Sequence, residues 1–177
     1  VSMWIPTYLT EQFGLAASDA ALATTVMPLL NMLGVFLTDR LVRVFRDELR
    51  ASCAMFAVAM AALAALALVR ESVVPALLLL GIAMMCALGI NTLLVSVLPM
   101  YFVPLGRTST ITGLLNTCMH FASSVSSYAI AAMSAAWGWP PTVLGWAGVS
   151  LIGAVCTLAV RGRFYGFVRR LEPETKK

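Results

Sequence analysis

Residues 20–50 read AALATTVMPLLNMLGVFLTDRLVRVFRDELR. No charge occurs through Thr38, and then Asp39, Arg40, Arg43, Arg46, Asp47, Glu48 and Arg50 crowd the next stretch. A helix needs about 20 consecutive apolar residues to cross a bilayer, and 20–38 supplies nearly that before the charges stop it. Outward from here the same punctuation recurs. Residues 51–69 carry no charge, Arg70 and Glu71 follow, and residues 72–106 are again uncharged up to Arg107. The run 108–160 is uncharged too, but Trp137-Gly138-Trp139-Pro140-Pro141 divides it. The pattern predicts five spanning helices, at 20–38, 51–69, 76–102, 109–136 and 142–160. Residues 1–9 read as the end of another transmembrane helix, 10–19 as an outer loop, and 161–177 as a basic cytoplasmic tail.

Composition agrees. Of 177 residues 60% are hydrophobic and 11% charged, with a mean hydropathy of +0.91. Soluble domains run at about 45–50% apolar and about 25% charged. Too little polar surface remains for a water-soluble enzyme, a disordered tail or a secreted disulfide scaffold. The net charge of +4 sits in short runs between apolar stretches, which points to membrane loops and not to nucleic acid. Cys53, Cys86, Cys118 and Cys156 each fall in a different apolar stretch, without metal-ligand spacing, and read as small packing residues. No cofactor or metal is implied, no catalytic residue stands out, and nothing resembles a nucleotide-hydrolysing loop.

Of the 12 Lys and Arg residues, eleven lie in 39–50, at Arg107 or after residue 160, and only Arg70 falls on the alternate side. The positive-inside rule makes the rich side cytoplasmic, with the C-terminus inside. Five crossings then put residue 1 outside, at the end of an element that comes from inside. With no Met and no basic leader at the start, this reads as a chain preceded by more protein. Ser18-Asp19 is expected to cap the first full helix. Trp137, Trp139 and Trp146 on one side, and Phe164, Tyr165 and Phe167 on the other, suit interfacial aromatic belts.

Polar residues inside a membrane are costly, so their placement is informative. Helix 51–69 has small residues Ala57, Ala61 and Ala65 at every fourth position, a close-packing face. It and helix 142–160 read as peripheral. Asn31 and Asn91 stand in two of the other three helices. The third carries Thr112, Asn116, His120, Ser124 and Tyr128 at a strict spacing of four, one slanted stripe. Helix midpoints put Asn31, Asn91 and His120 within roughly 5 Å of the midplane, the depth at which transporters hold solutes. Asn31, Asn91, Asn116, His120, Ser124 and Tyr128 are the expected cavity residues. The alternative for each is a hydrogen bond between neighbouring helices. His120, the only histidine, could instead carry a proton.

The charged loop carries a resemblance. Asp39, Arg40, Arg43 and Arg46 match Asp-(Lys/Arg)-x-x-Arg-x-x-Arg, which resembles the cytoplasmic motif of the major facilitator superfamily. The spacing looks like its organophosphate:phosphate antiporter branch. The motif's Gly, four residues before the Asp, is Val35 here, with Gly34 one place earlier. Trp4-x-Pro6-Thr7-Tyr8-Leu9-x-Glu11 resembles the outer end of the family's seventh helix. Gly106-Arg107-x-Ser109-x-x-x-Gly113 resembles the start of its eleventh, and Gly138-Trp139 what precedes its twelfth. The resemblance implies an all-α polytopic membrane protein, the C-terminal six-helix half of the fold, in an inner membrane, whose N-terminal half lies upstream. It implies alternating access, with Asp39, Arg40, Arg43 and Arg46 as gating residues. The cargo would be a small polar or anionic solute, such as a sugar phosphate, moved with a proton or against phosphate. A non-transporting membrane sensor on the same fold and an integral-membrane enzyme are the rival readings.

Overall fold

The computed structural model describes residues 2–69 and 72–171, so Arg70, Lys176 and Lys177 of the charge argument lie outside it. Its helices are α1 (Ile5–Phe13), α2 (Ala17–Thr24), α3 (Met27–Phe45), α4 (Glu48–Leu66), α5 (Val73–Asn91), α6 (Thr108–Trp137) and α7 (Trp139–Leu171). A π-helical stretch, Thr92–Val97, and a 3-10 stretch, Leu98–Leu105, continue α5. There is no strand among the described residues. Ala17–Phe45, Glu48–Leu66, Val73–Leu105 and Trp139–Arg170 are long and apolar enough to cross a membrane. α6 is not among these four, although it is 30 residues long and uncharged, because its Thr, Ser, Asn and His side chains lower its hydropathy.

Several boundaries differ from the expected ones, each for a local reason. The helix expected at 20–38 begins earlier and breaks in two. Pro28 stands in the first turn of α3, where it cannot donate to the preceding turn. Ala16, with no side-chain bond, flanks the start of α2, so Ser18 and Asp19 lie inside the helix. Asp19 is in the first turn, where a negative charge suits the helix dipole. Outer-loop residues 10–13 belong to α1, which ends at Gly14 (φ 66°) with the glycine N–H donating to Thr10 O at 3.0 Å.

The charged loop is mostly helix. α3 runs to Phe45, and Arg46 ends it at φ 50° with its N–H on Val42 O at 2.7 Å. Asp47 caps α4 by accepting from the Arg50 N–H at 3.0 Å. Beyond Asn91 regular α-helix ceases. Pro99 lacks the N–H for an i→i−4 bond, and the backbone widens before it and tightens after it. Pro140 and Pro141 do not precede the last helix but open it, in the first turn where their missing N–H groups are not needed. Gly138 (φ 78°) makes the break. α7 then runs 33 residues, about 50 Å, so the helix continues through 161–171.

α4 is the packing centre, lying against α3, α5 and α7. Its buried stripe is Ser52, Met55, Ala59, Ala62, Leu63 and Leu66, while Ala57 and Ala61 face outward. The expectation that this helix is peripheral does not hold: α4 packs directly against α3 and α5, which carry Asn31 and Asn91. α3 and α5 run parallel along a seam closed by glycines: Gly81 meets Leu30, Gly34 meets Met85, and Gly89 meets Thr38. A Cβ on Gly34 would lie 2.6 Å from Met85 O. Close contact at the motif's Gly is therefore kept, one residue earlier than the motif places it.

At the end away from the charges, α1 folds onto the start of α7. Tyr8 meets the Trp139 ring edge-on at 5.2 Å, and the Trp139 Nε1–H donates to Glu11 Oε2 at 2.7 Å. The two motif segments Trp4–Glu11 and Gly138-Trp139 are one contact in space.

Candidate functional site

α6 rests on α7 and on the irregular continuation of α5. Ser126, Ala129, Ile130 and Met133 turn toward an apolar cavity of about 360 Å³, shared with α4, α5 and α7. At 100° per residue, His120 and Ser124 lie on the opposite side of α6. They are exposed, Tyr128 is 80% exposed, and Asn116 is half-buried. The Ser124 hydroxyl donates to His120 O at 3.0 Å, so it is bound within its own helix. None of the six expected cavity residues lines this partly open apolar cavity. The stripe instead forms an open polar face on an uncharged helix.

Asn31 and Asn91 are half-buried, and each has an Oδ1 that accepts no hydrogen bond among the described residues. The structure does not bring the two together. In the α3–α5 register Leu30 faces Gly81, so Asn31 lies level with Ile82. Asn91 is nine residues further on, about 13 Å along the axis. The expectation of one shared depth fails for this pair, because the span through α5 runs on to Leu105 and its midpoint does not face that of α3. Ile90 and Ser126 line the same cavity, which puts Asn91 near the level of Ser124 on α6.

The motif residues sit on the last turns of α3. Arg43 Nη2 pairs with Asp39 Oδ2 at 2.6 Å, with the two side chains 74% and 60% exposed. Such an exposed i,i+4 pair contributes at most about 0.5 kcal/mol. Arg40 and Arg46 are exposed as well. The motif therefore makes no ion pair to another element among the described residues.

The interhelical polar cluster lies beside it, on residues the motif reading passed over. Asp47, with only 8% of its side chain exposed, accepts from Arg161 Nε at 2.5 Å and from the Tyr165 hydroxyl at 3.0 Å. Arg50 Nε stands 3.6 Å away. Burial alone would push the Asp47 carboxyl up; the Arg50 backbone N–H, Arg161 and Tyr165 outweigh it and hold the carboxyl below its usual range. Glu48 Oε1 accepts from the Tyr101 hydroxyl at 2.8 Å, and Glu48 Oε2 stands 2.8 Å from the Tyr165 hydroxyl, whose single proton it shares with Asp47. Phe164 packs edge-on against Tyr101 at 5.6 Å. Between Arg161 and Arg170 on α7, the partly buried positions are Arg161, Phe164, Tyr165 and Val168, an i, i+3, i+4, i+7 face. The available signal was the acidic pair opening an apolar run, together with that periodicity. The partners, more than 50 residues apart, have no local signature.

No group of acids, His or Cys able to hold a metal occurs among the described residues. All four cysteines are unpaired thiols, Cys86 buried in the α4–α5 packing. No curated protein and no solved structure matches the chain. The family model described as Major Facilitator Superfamily matches residues 1–177. The helical bundle, its membrane-length apolar helices and that match over the whole sequence agree: the chain belongs to the major facilitator superfamily.

Proposed function

We propose that this six-helix half serves a secondary transporter that moves a small polar or anionic solute across an inner membrane by alternating access. The family supports secondary transport in general. The observation that carries the reading to this chain is α6: a 30-residue uncharged helix on which His120, Ser124 and Tyr128 are exposed and Asn116, one turn earlier on the same stripe, is half-buried. A polar face at membrane depth is costly unless it lines an aqueous path or meets a polar partner. On this reading His120 and Asn116 contact solute, and Asn91 joins them from α5. Asn31 contributes at a different level. Asp39, Arg40, Arg43 and Arg46 lie at the cytoplasmic end, where Asp39 changes partner as the gate opens.

The gating residues do not select the solute; a phosphate ester, with phosphate or a proton as the counter-species, is proposed only because the Asp39–Arg40–Arg43–Arg46 spacing resembles that of the organophosphate:phosphate antiporter branch. The test is uptake by the full-length protein in proteoliposomes, with glycerol 3-phosphate, glucose 6-phosphate, inorganic phosphate and an uncharged hexose as probes. Saturable uptake of a phosphate ester, accelerated by internal phosphate, is the expected result. Uptake of the hexose alone would remove the phosphate-ester assignment. Binding of a probe without flux would favour a sensor and refute transport.

A further inference from the structure

The span Val73–Leu105 ends in the longest stretch of non-α-helical backbone within any of the four described spans: Thr92–Leu105. A π turn inside a helix marks a local departure that is frequent at functional sites, and the 3-10 turns after it lie at the end of the span. Only part of this stretch is buried. Leu93 and Pro99 are enclosed, whereas Met100 and Val103 are 63% and 59% exposed. The apolar contacts of its far end come from the rings of Tyr101 and Phe102 against α7.

The polar cluster adds to these contacts. Tyr101 projects from the 3-10 turn to Glu48 Oε1, and Glu48 Oε2 meets Tyr165 on α7. Tyr165 also reaches Asp47, which is bonded to Arg161 on the same helix. Phe102 adds ring contacts to Phe164 and Phe167 at 6.4 and 5.9 Å. Three elements distant in sequence are joined through two adjacent carboxylates. Hydrogen bonds to ionised acceptors are the strong kind. The motif acid Asp39, by contrast, is bonded only within its own helix.

Building on the transport reading, we infer that Glu48, Tyr101 and Tyr165 are positioning residues that latch the Leu98–Leu105 segment to α4 and α7, so that its release is part of the conformational cycle. Glu48 is the pivot, since it holds both tyrosine hydroxyls. Asp47 and Arg161 fix α7 in the position that Tyr165 needs. The latch contacts no solute, so it acts on the rate of rearrangement and not on recognition.

The test is amide hydrogen exchange on the full-length protein in nanodiscs, without solute, for wild type, Tyr101→Phe and Glu48→Gln. Tyr101→Phe keeps the ring on Phe164 and removes one hydroxyl. Exchange over 98–106 should rise about tenfold, the size expected for losing one hydrogen bond to a charged group. Amides of α4 between Met55 and Leu66 should keep wild-type rates. The Glu48→Gln, Tyr101→Phe double variant should exchange no faster than the faster single variant. Unchanged exchange over 98–106 in both single variants overturns the latch, and so does a rise spread evenly over the bundle. For whichever of the four uptake probes is carried, Tyr101→Phe should alter the maximal rate and leave the half-saturating concentration unchanged. A change in the latter alone refutes the positioning role. Exchange is read without solute, so failure of the latch and failure of the transport reading give separate results.

Discussion

Replacing Gly34 with Ala tests the α3–α5 seam on which the placement of Asn31 and Asn91 depends. The new Cβ would stand 2.6 Å from Met85 O and 2.8 Å from Met85 Cγ. The Met85 side chain can turn aside, but the carbonyl belongs to the α5 backbone and cannot. Relief requires the two helices to separate by several tenths of an ångström, which also loosens Leu30 on Gly81 and Thr38 on Gly89. Overpacking of this kind costs about 1–3 kcal/mol. The better helix propensity of Ala returns no more than about 1 kcal/mol. Gly113→Ala is the control, since nothing lies within 4 Å of its added Cβ, and there the propensity gain stands alone. Unfolding free energies measured in a mild detergent should fall for Gly34→Ala and rise slightly for Gly113→Ala. Equal or greater stability for Gly34→Ala would refute the close seam, and with it the register that separates the two asparagines.

Asp39→Asn should change unfolding free energy by less than about 0.5 kcal/mol, because its pair with Arg43 is exposed, yet cut transport turnover more than solute binding. Unchanged turnover in reconstituted protein would remove the gating role. Asp47 gives a pH signature. Its folded carboxyl lies below the ordinary aspartate value of 3.8, so around and below that value the unfolded chain binds protons that the folded one does not. Its contribution should be complete above pH 3.8 and be lost as pH falls through the depressed folded value. Asp47→Asn should flatten that acid limb in detergent unfolding experiments, and an acid limb identical to wild type would contradict the environment described for Asp47.

The helices were legible because their signal is local. Uncharged runs of membrane length and the residues that interrupt them locate the spans without any tertiary information. The same signal misplaces helix ends. Charge does not stop a helix that leaves the apolar layer, so α3 continues to Phe45 and α7 to Leu171 past their first arginines. Pro140 and Pro141 read as a break, yet proline is at home in a first turn. Pro99 carries the opposite meaning inside an apolar run, and hydropathy alone cannot register it. The small-residue face of α4 was misassigned for a further reason: Ala57 and Ala61 match a packing pattern, but burial fell to the Met55–Ala59–Leu63–Leu66 stripe.

The candidate site divides in the same way. A stripe at spacing four needs only helix periodicity, and α6 is a single helix throughout. The Asp47–Glu48 cluster needs Tyr101, Arg161 and Tyr165 brought from far along the chain, and only packing reveals it. Depth was inferred from span midpoints, and that assumption failed for α3 and α5, which meet along a shifted register.

The most direct measurement of a polar path along α6 is solvent access in the membrane. Single cysteines at His120, Ser124, Ala122 and Ala129 would be introduced into the full-length protein, with Cys53, Cys86, Cys118 and Cys156 replaced by Ala. Each would be exposed in sealed vesicles to a membrane-impermeant thiol reagent. A solute path along the stripe predicts fast modification at 120 and 124, and much slower modification at 122 and 129 on the opposite face. Equal rates at all four positions, or no reaction at 120 and 124, would contradict it and leave the stripe as a packing surface.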